Sequence, residues 1–292
     1  LYQGIIGGIS FYLNFEDTRL FGMSFRDLRG AVRTYVELFG HPPEYILLDE
    51  VQAVKGWELA VRELYDQRKY AMVVTGSSSK LLSKEIATQL RGRGVSYLLL
   101  PFSFKEFLKA RGSTHQLGRL TFDEGAEIRN LLREYLDFGG FPQVVLGGRD
   151  RQERLRMLRE YSEMILYKDV VERHGVRNLS LTNTIFKQLA AGFSSEFSVN
   201  KMYNHLQSQG LAVSKNTVHG YLGYFEDSAG VFFFRRHSAK ARLSEAWPRK
   251  AYLCDTGLAR LWRGAPEENV NGDAGRVMEN AVFLELMRSG NR

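Results

Sequence analysis

The chain has one cysteine in 292 residues, Cys254, so no intrachain disulfide can form. That usage suits a reducing compartment, and a cytoplasmic location is expected. Six histidines are present, with His205 and His219 the nearest pair; this is no metal-ligand spacing, so no structural zinc is expected. No apolar run approaches the roughly 20 residues that span a bilayer, and no signal-peptide pattern is visible, so no membrane partner is expected. Also missing is any Gly-x-x-x-x-Gly-Lys-Ser/Thr run, the loop whose backbone N–H groups cradle phosphates. Gly4, Gly7 and Gly8 are too sparse and lack a following Lys-Ser/Thr. What the chain does have is 44% apolar and 12% aromatic content, enough to fill the cores of two or three domains. Its formal charge of +7 favours an anionic partner such as nucleotide or nucleic acid.

The most informative stretch is Tyr45-Ile46-Leu47-Leu48-Asp49-Glu50, an apolar strand that ends on two adjacent carboxylates. A second apolar run, Ala71-Met72-Val73-Val74-Thr75, ends on Gly76-Ser77-Ser78-Ser79. Carboxylates cost several kcal/mol to bury unless they are paired or hold a metal. In P-loop ATPases such a pair has a reason: the first acid, here Asp49, holds Mg²⁺ on the phosphates, and a following Glu, here Glu50, positions the attacking water. A polar residue at the end of the next strand, Thr75 or Ser77, suits sensing of the γ-phosphate. The competing reading is two core strands that meet solvent; the paired pattern favours the nucleotide site. The chain begins at Leu1, in what reads as a helix tail (Leu1-Tyr2-Gln3-Gly4-Ile5-Ile6) running into a strand over residues 9–14. In a doubly wound ATPase sheet this is the place of the strand after the phosphate-loop helix. The expectation is therefore a fragment whose first strand and phosphate loop lie upstream.

Residues 9–100 alternate strand and helix. Ser24 with Asp27 reads as a capping box, followed by Phe25, Leu28, Val32, Val36 and Phe39 at helical spacing, with His41-Pro42-Pro43 as the stop. Trp57, Val61, Leu64 and Tyr65 mark the next helix, Leu81, Leu82, Ile86 and Leu90 another, and residues 95–100 a further strand. Such alternation predicts a mostly parallel sheet with helices on both faces and ligands at the strands' C-terminal ends, where Asp49, Glu50 and Thr75 fall. From about residue 101 to 178 the strand signal disappears. One helix carries Leu131, Leu132, Tyr135 and Leu136 and is stopped by Gly139-Gly140-Phe141-Pro142; a longer one covers residues 151–173, with Leu155, Leu158, Tyr161, Ile165 and Val170 as its stripe. Its Arg151, Arg154, Arg156 and Arg159 either contact phosphates or form a solvated face interleaved with Glu153 and Glu160.

Residues 182–257 have a third texture. Helices carry Ile185, Leu189 and Phe193; then Met202, Tyr203 and Leu206; then Val218, Tyr221, Leu222 and Phe225. Two strand-like runs follow, residues 231–237 and 250–254, joined by a basic loop. Three short helices and a hairpin make the winged helix-turn-helix pattern. Between Thr182 and Lys250 nine Lys/Arg stand against four Asp/Glu, a net of +5. Lys215, Asn216, Thr217 and His219 lie on the outward side of the third helix, able to reach bases or phosphates of double-stranded DNA, and Lys240, Arg242, Arg249 and Lys250 would line the wing. The equal alternative is a protein-docking module, since Gly220 and Gly223 weaken the third helix.

With these segments placed, the chain resembles a prokaryotic family of AAA-type ATPases with an uncharacterised C-terminal region. The residues that carry the resemblance are Leu13-Asn14-Phe15-Glu16-Asp17, Leu47-Leu48-Asp49-Glu50-Val51-Gln52 with Gly56-Trp57-Glu58, Val74-Thr75-Gly76-Ser77-Ser78, and Leu90-Arg91-Gly92-Arg93. Pro101-Phe102-Ser103-Phe104 with Glu106-Phe107, Gly139-Gly140-Phe141-Pro142, Thr217-Val218 with Tyr221-Leu222, and Asp255-Thr256-Gly257-Leu258 continue it. The resemblance implies an α/β architecture: an incomplete P-loop NTPase parallel sheet, followed by a helical lid and a winged-helix domain. The expected divisions are a partial ATPase core over 1–112, the lid over 113–180, a winged-helix-like domain over 181–262, and over 263–292 a linker with the first helix of a truncated nuclease-like domain. It implies ATP and Mg²⁺ as cofactors, Asp49 and Glu50 as the Walker B pair with Asp49 holding Mg²⁺ through water, and Thr75 and Ser77 among the sensor residues. Arg91 or Arg93 would face the nucleotide, unless they merely pair with surface acids. Glu279, in the expected opening helix of the nuclease-like region, would sit near a metal site, but the sequence ends before a second acidic strand.

The leading expectation is an ATPase that, in its full-length form, couples Mg-ATP hydrolysis to a DNA- or protein-binding winged helix. The alternatives are a DNA-binding regulator or a protein-docking scaffold, each with an inactive nucleotide core. A protein partner or self-association stays open at this point.

Overall fold

In a computed structural model of the chain the described residues are 10–76, 94–115, 120–235, 249–263 and 270–290. They fall into two units, residues 1–98 and 99–292.

The first unit is built on three parallel strands, β1 (Ser10–Asn14), β2 (Tyr45–Asp49) and β3 (Ala71–Val74), in the order β1-β2-β3. Asn14 lies opposite Asp49, and Leu48 opposite Val74, so all three strands end at one edge. Helix α1 (Phe25–Phe39) follows β1 and helix α2 (Trp57–Asp66) follows β2. The expected capping box starts α1: the Asp27 carboxylate accepts from Ser24 N–H at 2.8 Å. Gly40, at φ +73°, ends it in the left-handed conformation that a residue without Cβ adopts at little cost. Leu28 and Val32 of α1 and Ala60, Val61 and Leu64 of α2 bury themselves with Ile46 and Leu48. Because side chains alternate along a strand, Tyr12, Leu47 and Asp49 lie on the other face. The helix expected to carry Leu81, Leu82, Ile86 and Leu90 lies outside the described residues. Residues 95–100 form no strand, contrary to expectation. Val95 and Tyr97 there are 79% and 88% exposed, and a ladder needs a neighbour that no described residue supplies.

The second unit begins with α3 (Phe104–Ala110), α4 (Phe122–Phe138), α5 (Pro142–Gly147) and α6 (Arg151–Met164). The long helix expected over residues 151–173 changes pitch, continuing beyond α6 as a π-helix over Ile165–Glu172. Then come α7 (Leu179–Ala191), β4 (Glu196–Phe197), α8 (Val199–Ser208), α9 (Lys215–Asp227), β5 (Val231–Arg235), β6 (Arg249–Leu253), α10 (Thr256–Arg263) and α11 (Val270–Arg288). The strands form an antiparallel sheet in the order β4-β6-β5. Strand β4 has two residues and carries no periodicity, which is why the sequence reading passes over it.

Helix α10 is the hub of this unit, packing against α4, α6, α7 and α11. Asp255 just before it is fully buried and accepts from the N–H groups of Gly140 at 2.7 Å, Gly257 at 2.8 Å and Leu258 at 3.2 Å. Thr256 donates to Tyr135 C=O at 2.8 Å, and Arg260 pairs with Asp137 at 2.6 Å. A Cβ on Gly139 would stand 1.9 Å from Asp255 Oδ1, and φ there is +75°, so only glycine fits. The region expected as a lid and the helix-and-hairpin region are thus interlocked within one unit. Helix α11 is part of it too: Asn280, fully buried, receives Leu253 N–H and donates to Leu253 C=O, and Phe283 stacks on Tyr252 at 4.0 Å. Cys254 is buried, and burial pushes its thiol pKa up, away from the thiolate form. No described helix is long and apolar enough to cross a membrane.

Candidate functional site

Parallel strands present their C-terminal ends together, and here that edge carries Asp49, Glu50 and Thr75. The backbone ladder runs slightly past the strands: Phe15 N–H donates to Asp49 C=O at 3.0 Å, Thr75 N–H to Leu48 C=O at 2.8 Å, and Val51 N–H to Thr75 C=O at 3.2 Å. These bonds hold the polar residues in fixed register on a half-buried rim.

The Asp49 carboxylate is held from both flanks. On one side the Tyr12 hydroxyl, from β1, donates to Oδ2 at 2.9 Å; on the other the Thr75 hydroxyl, after β3, donates to Oδ1. Both are neutral donors, which orient the carboxylate without adding a charge of their own. Each carboxylate oxygen also retains acceptor capacity.

Glu50 has φ 55° and ψ 45°, a left-handed conformation unusual for a side chain of its type. It costs on the order of 1 kcal/mol and persists where the surroundings impose it, commonly at functional sites. The constraint here is Val51, fully buried in the core, which begins the 3₁₀ turn Val51–Ala53. Glu50 N–H donates to Thr75 Oγ1 at 3.4 Å, and the Gln52 amide donates to the Glu50 carboxylate. Two adjacent acids are thereby separated in role: Asp49 is turned along the strand end, and Glu50 is turned out of it and tethered.

Of the residues expected at this site, the structure brings together Asp49, Glu50 and Thr75; Ser77, Arg91 and Arg93 lie outside the described residues. Tyr12 and Gln52 received no role at this site in the sequence reading, where Gln52 stands only among the residues that carry the resemblance. The signal for Tyr12 was available in the strand register, since Tyr12 stands opposite Leu47 and so shares a face with Asp49.

Among the described residues no group of three or more His, Cys, Asp or Glu side chains could hold a metal ion. One oriented carboxylate beside a hydroxyl is nevertheless a donor set that fits Mg²⁺, which keeps several waters and completes its shell with substrate phosphates.

In the second unit Lys215, Asn216 and His219 are exposed near the start of α9, while Val218, Leu222 and Phe225 fill the core on its other face. The Lys215 ammonium lies 5.5 Å from the Tyr203 ring centroid, a cation–π distance. Arg242 and Lys240 lie outside the described residues. Lys250, expected in the wing, is bound to Glu279 at 2.7 Å, and the Tyr252 hydroxyl reaches the same carboxylate oxygen at 2.8 Å. Glu279 therefore ties α11 to β6 through a cation and a phenol. The arginines of α6 divide: Arg154 is drawn inward to Glu134 at 2.6 Å and Arg156 pairs with Glu160 at 3.1 Å.

Comparison with known proteins matches residues 7–108 to an AAA domain and residues 129–269 to a Domain of unknown function (DUF8612). The acid-bearing sheet lies within the residues matched to the AAA domain. An uncharacterized protein of Methanocaldococcus jannaschii is 36% identical over 279 residues, covering 96% of this chain and 60% of the relative. An uncharacterized protein of Haemophilus influenzae is 31% identical over 290 residues, covering 99% of this chain and 68% of the relative. A second uncharacterized M. jannaschii protein is 29% identical over 101 residues, 33% of this chain and 20% of its own length. The chain thus spans about 60% and 68% of the length of the first two relatives. It belongs to the same family as the uncharacterized H. influenzae protein, with an AAA domain followed by a Domain of unknown function (DUF8612) as its own two matched parts.

Proposed function

We propose that the Asp49–Glu50 edge is the acidic half of a Mg-ATP site and that the whole protein hydrolyses ATP. The observation that carries this reading is the pairing of an Asp oriented by two hydroxyls with a Glu held in a strained backbone conformation beside it. Asp49 holds Mg²⁺ through water, and Glu50 orients the attacking water and takes up its proton. Thr75, already bonded to Asp49, senses the phosphate end with Ser77; Arg91 or Arg93 faces the nucleotide. Bound Mg²⁺ supplies neutralisation of the phosphate charge. In the whole protein Glu50→Gln is expected to keep Mg-ATP binding while slowing turnover at least about 100-fold, and Asp49→Ala to weaken the Mg²⁺-dependent part of binding. Unchanged steady-state turnover in Glu50→Gln would remove Glu50 from the mechanism.

The second unit is the module to which hydrolysis is coupled. The chain order α7-β4-α8-α9-β5-β6, with β4 paired to β6 beside the β5–β6 hairpin, supports a winged-helix reading of residues 181–262. Lys215 and Arg242 are its phosphate contacts, and Asn216 and His219 its base contacts. Titration of the whole protein with duplex DNA at several salt concentrations tests this: each phosphate contact removed lowers the salt slope by roughly one unit. Undetectable binding at low salt would favour a protein-docking module.

A further inference from the structure

We propose that Tyr12 is a positioning residue for the Asp49 carboxylate, setting the plane in which that carboxylate meets a divalent cation; this rests on the reading of Asp49 as the cation-holding acid. In the parallel β1–β2 pair Tyr12 stands opposite Leu47 and Asn14 opposite Asp49. Alternation puts Tyr12 and Asp49 on one face with a two-residue offset, and a phenol is long enough to span that diagonal. The hydroxyl reaches Oδ2 at 2.9 Å while Thr75 binds Oδ1 from the opposite strand. A carboxylate at a strand end otherwise turns about a broad, two-fold torsion; donors on both oxygens, one from each neighbouring strand, fix it.

The identity of the residue matters. Tyr12 is 45% exposed, so it is not there to fill the core, and phenylalanine would serve strand formation equally well. What the hydroxyl adds is a neutral donor, which orients the carboxylate without a positive charge to compete with a cation. Partners that orient a metal ligand in this way contribute about 10- to 100-fold to metal affinity.

The test uses the whole protein with Mn²⁺ alone as the probe, its free concentration followed by electron paramagnetic resonance. Tyr12→Phe is expected to weaken Mn²⁺ binding by about 10-fold, and Asp49→Ala to abolish the site. The double variant is expected to bind no more weakly than Asp49→Ala alone, because the role proposed for the phenol in cation binding runs through that carboxylate. Wild-type Mn²⁺ affinity in Tyr12→Phe, with Asp49→Ala still defective, would overturn the role of Tyr12 and leave the site standing. Wild-type affinity in Asp49→Ala would overturn the site reading itself.

Discussion

Two aspartates, one in each unit, stand at the end of an apolar strand and are put to opposite uses. Asp49 closes β2 and receives two side-chain hydroxyls on a half-buried rim. Asp255 lies two residues beyond β6, is 2% exposed, and receives three backbone N–H groups. The Asp255 carboxylate thus has its acceptor sites consumed by the chain itself, joining the end of α4 to the start of α10. Such a residue is a structural tie. Asp49 is aligned by side-chain hydroxyls on that rim, and its neighbour Glu50 is held left-handed where buried Val51 begins the next turn. The difference lies in the donors and not in the residue type: the partners of Asp255 are main-chain N–H groups, and those of Asp49 are side-chain hydroxyls.

The contrast is broken most directly by removing each carboxylate. Asp255→Ala leaves three N–H groups buried without an acceptor and is expected to destabilise the second unit by about 4 kcal/mol. Asp49→Ala frees only half-exposed hydroxyls and is expected to cost less than about 1 kcal/mol. Hydrogen exchange resolved by segment reads both, through protection of α10 and of β2; similar losses in the two variants would erase the distinction.

A smaller effect sharpens it through pH. Burial pushes the Asp255 carboxyl pKa up to about 6, against the pull of the Gly140, Leu258 and Gly257 N–H groups. A folded-state pKa above the ordinary 3.8 means the folded protein binds the proton more tightly than the unfolded chain. Its stabilising contribution is therefore complete below about pH 4, falls as pH rises to about 6, and is level above that, a change of up to about 3 kcal/mol. Asp255→Asn is expected to lack this slope, and parallel pH profiles of the variant and the wild type from denaturant unfolding would show that Asp255 stays ionised throughout.

The smallest effect concerns Glu50. Glycine adopts φ 55° without steric cost, so Glu50→Gly is expected to stabilise the first unit by about 0.5 kcal/mol while removing hydrolysis. Glu50→Ala keeps the strain and is expected to give no such gain. A lower unfolding midpoint for Glu50→Gly than for Glu50→Ala would show that the left-handed conformation is not strained.

Much of this was legible before any coordinates. The strand over residues 45–49, its two terminal acids, the helix begun by Ser24 and Asp27, and the later run of three helices and a hairpin rest on local signals: alternation, helical spacing and caps. Each is set by residues within a few positions of one another, so the chain alone determines it. The segment over residues 95–100 reads as a strand by the same rules and is none, because a strand also needs a neighbour. The hydroxyls of Tyr12 and Thr75 on Asp49, 37 and 26 residues away in sequence, depend on the register of three strands. The three donors on Asp255, one of them 115 residues away, depend on how α4 and α10 meet. The amino-acid sequence by itself determined where acids end strands and which helices pack by one face. Only the tertiary structure decided which aspartate is a buried tie and which a half-buried acid at a strand end, because a carboxylate's chemistry is set by the donors that distant parts of the chain bring to it.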